Sequence, residues 1–169
     1  GMVKGVEAEG RMVVTDQLSA QFRYGYMSAR DRINGRWVSR RWSQRHTAHA
    51  GVIWNRGDAH FSLGVSWHTG WRSPALPSHL TLGDTFAGER VINNKELRNY
   101  FSIDIGASKT WQLGKSRITL HADVTNLLGR NNIAGLEYDI EEGEGQIYLS
   151  PNKKKVLPLA PSVGIIVDF

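Results

Sequence analysis

The sequence contains no cysteine, which excludes a disulfide framework and any metal site built on thiolates. It also lacks an apolar run near the roughly 20 residues that a membrane-spanning helix needs. A membrane-spanning β-strand stays possible, because it needs only about 9–11 residues and half of them can be polar. No apolar core of a secretory signal follows Met2. The chain is therefore expected either to belong to a longer protein or to begin at an internal Met.

The 169 residues suit one domain or part of a larger one, and they carry a net charge of +5. A positive balance raises nucleic-acid binding as one interpretation. Lys and Arg, however, are spread through predicted strands and loops, with no basic helix or stripe. We therefore predict no nucleic-acid partner.

Alternation of apolar and polar residues predicts a series of β-strands and no convincing helix. In the segment from Ile118 to Val124, for example, every second residue is apolar and the intervening ones are polar. The predicted strands cover 3–15, 21–30, 41–54, 60–71, 100–111, 118–127 and part of 157–169. The fold class is therefore all-β, with an antiparallel up-and-down meander of about seven to eight strands.

The predicted connections alternate in length. Those at 16–19, 55–58 and 112–116 are short turns, and those at 31–40, 72–98 and 130–156 are longer. Short turns at one end and long loops at the other are typical of a transmembrane β-barrel, with the short turns on the periplasmic side. We therefore expect this meander to be part of such a barrel.

The apolar faces of the predicted strands have aliphatic middles and aromatic ends, as in Phe61-x-Leu63-x-Val65-x-Trp67. We expect one aromatic level from Trp54, Phe61, Trp111 and Phe169, and a second from Trp42, Trp67, Trp71 and Phe101. The opposite faces hold many ionisable groups, which suit a wet lumen or contact with a polar plug rather than a dry core. A soluble β-sandwich with aromatics at its core edges is the alternative.

Three groups of residues could carry chemistry. His121 and Asp123 share a strand face and could bind a cation, although such a pair is more often a hydrogen-bonded couple, so we predict no metal and no cofactor. Ser, His and Asp are present without a Gly-x-Ser-x-Gly motif, so no catalytic residues are predicted. An outer-membrane enzyme would need His121 within hydrogen-bond reach of a Ser hydroxyl and a carboxylate. The acidic run Glu137, Asp139, Glu141, Glu142 and Glu144 is interpreted as a solvated loop in preference to a calcium or cationic-ligand site.

Two segments resemble TonB-dependent outer-membrane receptors. They are KGVEAEGRMVVTDQLSAQFRYGYMSAR near the start, and ADVTNLLGR followed by a loop and a final strand that ends at Phe169. The resemblance implies that residues 1–169 are the carboxy-terminal barrel segment of such a receptor, without its plug domain. The implied function is uptake of a scarce nutrient, such as a ferric siderophore, at the cell outer membrane. The implied partners are outer-membrane lipid, the barrel-assembly machinery, a small-molecule nutrient, and TonB through the missing amino-terminal part.

The same resemblance implies two sets of site residues. Ligand contacts are expected in the two long loops, with Trp71, Arg72, Phe86, Arg90 and Tyr138 as candidates. The carboxy-terminal signal read by the barrel-assembly machinery matches Val163, Ile165, Val167 and Phe169. The alternative function is that of a small autonomous β-barrel or sandwich that binds an apolar ligand or a protein partner. It predicts that the alternating apolar face is buried inside.

Overall fold

The computed structural model describes residues 1–81, 93, 95–143 and 146–169, and these residues form β-strands joined by turns and loops. Within these ranges the chain has no helical segment that could span a membrane. The strands are β1 (Met2–Val13), β2 (Leu18–Ile33), β3 (Arg36–Ser39), β4 (His46–Arg56), β5 (Ala59–His68), β6 (Arg72–Ser73), β7 (His79–Thr81), β8 (Lys95–Glu96), β9 (Tyr100–Leu113), β10 (Ser116–Thr125), β11 (Ile133–Gly143), β12 (Gln146–Lys155) and β13 (Ala160–Asp168).

The main sheet is an antiparallel meander in the order β1-β2-β4-β5-β9-β10-β13, and the short strand β3 also pairs with β2. The prediction of an all-β fold with seven to eight antiparallel strands is therefore confirmed. The sheet is open in the described residues, because β1 and β13 each have a single neighbour.

Tight turns join β1 to β2, β4 to β5 and β9 to β10 at one end of the sheet, which we call the turn end. Gly57 and Gly114 have φ angles of 57° and 63° there, a left-handed conformation that favours glycine. The longer connections, 34–45, 69–99 and 126–159, all leave the opposite end, the loop end, because neighbouring strands are antiparallel. The predicted alternation of short and long connections is confirmed.

Several predicted boundaries are wrong. The connection 130–156, predicted as a long loop, contains the hairpin of β11 and β12, to which β7 adds a third strand. The third predicted strand begins only at His46, so Trp42 lies in the preceding turn. The fourth ends at His68, so Trp71 also lies outside the sheet, and of the expected loop-end aromatic level only Trp67 and Phe101 lie on strands.

Cross-strand pairing places most apolar residues of the seven main strands on one common surface, the apolar face. Leu63 of β5 lies between Val52 of β4 and Ile105 of β9. The same face continues to both sheet edges through Val6, Ala8, Ala20, Phe22, Ala48, Ala50, Val65, Trp67, Phe101, Ile103, Ile118, Leu120, Ala122, Val163, Ile165 and Val167. The opposite side of every main strand forms the polar face.

The sheet curves around its polar face. Glu9 of β1 and Asp123 of β10 both line one concavity of about 430 Å³, although they are separated by four intervening strands. In a flat sheet, strands five positions apart would lie roughly 24 Å from each other. The polar face is therefore concave and the apolar face convex.

No second layer covers the apolar face in the described residues. Its side chains remain exposed, with exposed fractions of 51% for Phe22, 45% for Leu63 and 74% for Val163. The buried apolar side chains of the described residues are Ala29, Leu97 and Leu149, and the last two belong to the long connections. The main sheet thus lacks an apolar core of its own on either side.

Candidate functional site

The long connections gather at the loop end, where hydrogen bonds from side chains to backbone groups fix them to one another. The hydroxyl of Tyr138 accepts a hydrogen bond from the Leu76 amide at 3.0 Å and donates one to the Pro74 carbonyl at 3.1 Å. The fully buried Ser73 hydroxyl accepts a hydrogen bond from the Leu136 amide at 3.1 Å. The β11–β12 hairpin therefore holds the beginning of the 69–99 connection in place.

Four rings form an aromatic cluster beside this hairpin. His68 stacks on Tyr100 with centroids 4.7 Å apart and lies 4.9 Å from Trp71. Trp71 meets Trp42 edge to face at 5.0 Å, and Trp42 remains 57% exposed. The guanidinium of Arg41 lies 5.3 Å from the Trp42 ring centroid, within the range of a cation–π contact. This cluster presents one aromatic ring and one cation to solvent.

Arg72 follows the cluster and is paired rather than free. Its guanidinium donates to the carboxylate of Glu96 at 2.9 Å across the β6–β8 pair. Glu96 thereby balances the charge of Arg72 at the surface of the loop end.

The buried side chain of Asn126 joins the loop end of β10 to the last long connection. The Asn126 side chain donates to the Arg130 carbonyl at 2.9 Å and accepts from the Arg130 amide at 3.1 Å. The backbone amide of Asn126 donates to the Asp104 carboxylate at 2.8 Å, and the same carboxylate accepts from the Ser102 hydroxyl at 2.7 Å. Asn126 has a φ of 52°, a left-handed conformation in which Asn is one of the few tolerated residues. Sequence reasoning missed this role, although an Asn directly before Leu-Leu-Gly is a turn signal.

Asn132, directly before β11, has a similar role and binds β9. Its side chain accepts a hydrogen bond from the Phe101 amide at 3.0 Å and donates one to the Phe101 carbonyl at 2.9 Å, as a paired strand would. The two asparagines are almost completely buried, so they fix the position of the β11–β12 hairpin above the sheet.

Of the five predicted ligand contacts, three lie in the described residues. Trp71, Arg72 and Tyr138 all lie at the loop end, but each side chain has other partners: Trp71 contacts Trp42, Arg72 pairs with Glu96, and Tyr138 bonds the backbone of Pro74 and Leu76. Phe86 and Arg90 lie outside the described residues.

The residues of the predicted assembly signal lie on the last strand and directly after it. Val163, Ile165 and Val167 of β13 lie on the apolar face opposite Ala122, Leu120 and Ile118, respectively. Phe169 follows the strand and is 99% exposed.

The acidic run is an ordered strand face rather than a loop. Glu137, Asp139 and Glu141 lie on one face of β11, and two of them have partners: Glu137 binds Lys154 at 2.8 Å and Asp139 accepts from Asn152 at 2.5 Å. The hydrogen bond from Lys154, followed by its charge, lowers the pKa of Glu137. Glu142 lies on the other face of β11, and Glu144 lies outside the described residues. No group of three or more His, Asp or Glu that could hold a metal ion occurs in the described part of the chain.

The polar face is a network of short-range pairs. Arg23 binds Glu9 at 2.9 Å and lies 3.6 Å from Glu7. The ring of His121 lies over Gly164 on the neighbouring strand, where a side chain in place of glycine would collide with it. The enzyme alternative needs His121 to bond a Ser hydroxyl and a carboxylate. Among the described residues no such hydrogen bond of His121 occurs.

Comparison of the chain with protein-family models, with curated proteins and with solved structures found no match.

Proposed function

We propose that residues 1–169 are the carboxy-terminal, lipid-facing segment of a transmembrane β-barrel. We further propose that this barrel belongs to a TonB-dependent outer-membrane receptor for a scarce nutrient, such as a ferric siderophore. The observation that carries the first proposal is the continuous, exposed apolar face across all seven main strands. The receptor identity rests on the resemblance of the first two strands and the last hairpin to that family.

Water is an unfavourable solvent for such a face. Contiguous apolar patches larger than a few hundred Å² are rare on soluble proteins and mark an interface with a membrane or another protein. Val52, Leu63 and Ile105 lie on three adjacent central strands of this surface and are each more than a third exposed. Lipid acyl chains would cover all of these side chains without requiring a partner protein of matching shape.

The height of the face agrees with a bilayer. Phe101 and Trp111 lie near opposite ends of the apolar face of β9, ten residues apart. At about 3.3 Å per residue this is roughly 33 Å along the strand, and a tilt of about 40° reduces it to roughly 25 Å along a barrel axis. The apolar band of outer-membrane barrels is about 25 Å tall and is flanked by aromatic girdles.

The polar face and the connections support the same proposal. The concave side carries charged pairs such as Glu9–Arg23, which suit a hydrated lumen or contact with a polar plug. Short turns at one end of the sheet and long connections at the other match periplasmic and extracellular ends. The loop end, with Trp42 and Trp71, would then face the medium and the nutrient.

The alternative, a small autonomous β-barrel or sandwich, needs the apolar face on the inside. In this chain the concave side is polar and the apolar side chains are on the convex side, which favours the membrane proposal.

Both parts of the proposal can be tested in cells that express the native gene. An epitope placed in the turn at Gly57-Asp58 should be protected from protease in intact cells, and one placed in the Asn34-Gly35 turn between β2 and β3 should be accessible. Protection of both epitopes, or recovery of the protein in a soluble fraction, would reject the membrane proposal.

Deletion of the gene should reduce uptake of the cognate ferric siderophore under iron limitation. Unchanged uptake of every siderophore and other nutrient tested would reject the receptor identity while leaving the barrel in place.

A further inference from the structure

The net positive charge of the chain is concentrated in one segment. Residues 28–45 hold six of the 21 basic residues and one of the 16 acidic residues, so the rest of the chain is balanced at 15 of each. The basic residues occur in strands and loops along the whole chain, but this segment holds the excess. This segment includes the loop-end part of β2 and its hairpin with β3.

Part of this charge lies on the convex side of the sheet. Arg30 and Arg32 continue the face of β2 that carries Phe22, Tyr24 and Tyr26, since all have even positions in one regular strand. Pairing places Lys4 of β1 on the same face, opposite Ser28, and Trp37 of β3 directly opposite Arg32. We call Lys4, Arg30, Arg32 and Trp37 the basic patch.

The cations of the basic patch have no carboxylate partner within the described residues. None of the ion pairs found there involves Lys4, Arg30 or Arg32, and all three side chains are exposed. The acidic residue of this segment, Asp31, lies on the opposite face of β2, where Arg40 binds it through two hydrogen bonds of 2.9 Å. The patch therefore presents three uncompensated positive charges beside an exposed indole that is 50% accessible.

We propose that the basic patch binds the phosphate of an anionic lipid headgroup at the loop-end surface of the membrane. This inference rests on the proposed membrane location of the apolar face. The ligand of this second site is an anionic lipid and not the nutrient.

The position of the patch favours a lipid over a soluble anion. Lys4 lies two residues beyond Val6, and Arg30 lies four residues beyond Tyr26, where Val6 and Tyr26 are a cross-strand pair at the loop-end border of the apolar face. These offsets are roughly 7 and 13 Å along the strands, or about 5–10 Å along a tilted barrel axis, and Arg32, two residues farther along β2, lies at about 15 Å along that axis. The polar headgroup layer is about 5–8 Å deep on each side of the hydrocarbon core, so Lys4 lies within it and the long side chains of Arg30 and Arg32 extend back toward it. Acyl chains on the apolar face would thus bring their own phosphates to the patch.

Competitive lipid binding tests the proposal. The full 169-residue chain is folded in neutral detergent micelles and titrated in parallel with phosphatidylglycerol and phosphatidylcholine that carry brominated acyl chains. Bromine quenches tryptophan fluorescence on contact, so half-quenching concentrations compare the two lipids. We expect phosphatidylglycerol to act at the lower concentration. In the double variant Arg30→Gln, Arg32→Gln this preference should fall roughly fivefold for each charge removed.

Matched variants separate the patch from net charge and from folding. Arg11→Gln with Arg117→Gln removes the same charge from the polar face at the turn end and should keep the preference. Arg30→Lys with Arg32→Lys keeps the charge and should also keep the preference for phosphatidylglycerol.

Equal quenching by both lipids in the unmodified chain, or an equal loss of preference in the turn-end variant, would overturn the lipid site and leave the membrane proposal intact. Competition by inorganic phosphate or a short DNA duplex as effective as phosphatidylglycerol would overturn the assignment to a lipid. Absence of quenching by either lipid would overturn both proposals.

Discussion

Trp54 and Phe61 stack across the turn between β4 and β5, with ring centroids 5.4 Å apart and ring planes inclined by 27°. The pair lies on the apolar face at the turn end, where both rings are more than a third exposed. Two large aromatic rings in contact with each other but with no covering layer are expected at the border between acyl chains and headgroups, where Trp is enriched.

This stacked pair should be energetically coupled. A double-mutant cycle with Trp54→Ala and Phe61→Ala should give a coupling free energy of about 0.5–1.5 kcal/mol, the value found for aromatic pairs beyond their area burial. The measurement is denaturant unfolding of the chain from lipid vesicles. Trp54 and Trp111 lie on strands that are not neighbours, so their cycle serves as control and should be additive within about 0.5 kcal/mol. Equal coupling in both cycles would contradict a specific contact.

Asn126 should be essential for the geometry of the last long connection. Asn126→Ala removes the hydrogen bonds to the amide and the carbonyl of Arg130. It also places alanine, whose Cβ disfavours a left-handed backbone, at a φ of 52°. We expect a loss of about 2–4 kcal/mol in unfolding free energy. Asn126→Gly keeps the backbone conformation and should recover about 1 kcal/mol of that loss. Asn152→Ala, at an exposed position of β12, should cost less than about 0.5 kcal/mol; a similar loss at both positions would refute the role of Asn126.

Tyr138 should tether the beginning of the 69–99 connection. Tyr138→Phe removes the oxygen that accepts from the Leu76 amide and donates to Pro74. The Leu76 amide should therefore exchange with deuterium faster, while amides in the centre of β5 keep their protection. Tyr148→Phe is the control, because Tyr148 is 42% exposed and its hydroxyl makes no hydrogen bond among the described residues. Unchanged exchange at Leu76 in Tyr138→Phe would show that the tether is unimportant.

The β11–β12 hairpin should depend on pH through Glu137. Lys154 lowers the pKa of Glu137 by its hydrogen bond and its charge, so the stabilisation is present at neutral pH and is lost as the pH falls through the lowered value. Both side chains of this pair are about 60% exposed, so solvent screening should keep the effect on stability small. In a nuclear magnetic resonance titration, Lys154→Met should raise the pKa of Glu137, whereas Lys153→Met should not, because Lys153 pairs with Leu136 on the other face. An equal rise in both variants would point to general charge instead of this pair.

The main sheet could be predicted from sequence because its signal is local. Strands such as β9 and β10 alternate between apolar and polar residues over most of their length, and glycine marks two of the three tight turns. The β11–β12 hairpin was missed for a physical reason. Glu137, Asp139 and Glu141 occupy every second position, which is the period of a strand, but their charge suggested a solvated loop. The apolar partners Leu136, Tyr138 and Ile140 carried the alternation that identifies the strand.

The loop end was less predictable because its contacts join distant residues. Tyr138 and Pro74 are 64 residues apart, and Asn132 binds Phe101 across 31 residues. No local pattern encodes such pairs, since each depends on where the main sheet places the ends of its strands. The ion pair of Arg72 with Glu96 is of the same kind.

The absence of cysteine allows a direct test of whether the apolar face contacts lipid. Single cysteines at positions 61–66 of β5 would be spin-labelled in the membrane-reconstituted chain, and their accessibility to oxygen and to a water-soluble nickel complex would be compared. We predict a period of two: labels at Phe61, Leu63 and Val65 should be accessible mainly to oxygen, which concentrates in the acyl chains, and labels at Ser62 and Ser66 mainly to the nickel complex. If Leu63 and Val65 were instead shielded from both reagents, the apolar face would be buried in a protein core and the membrane proposal would be contradicted.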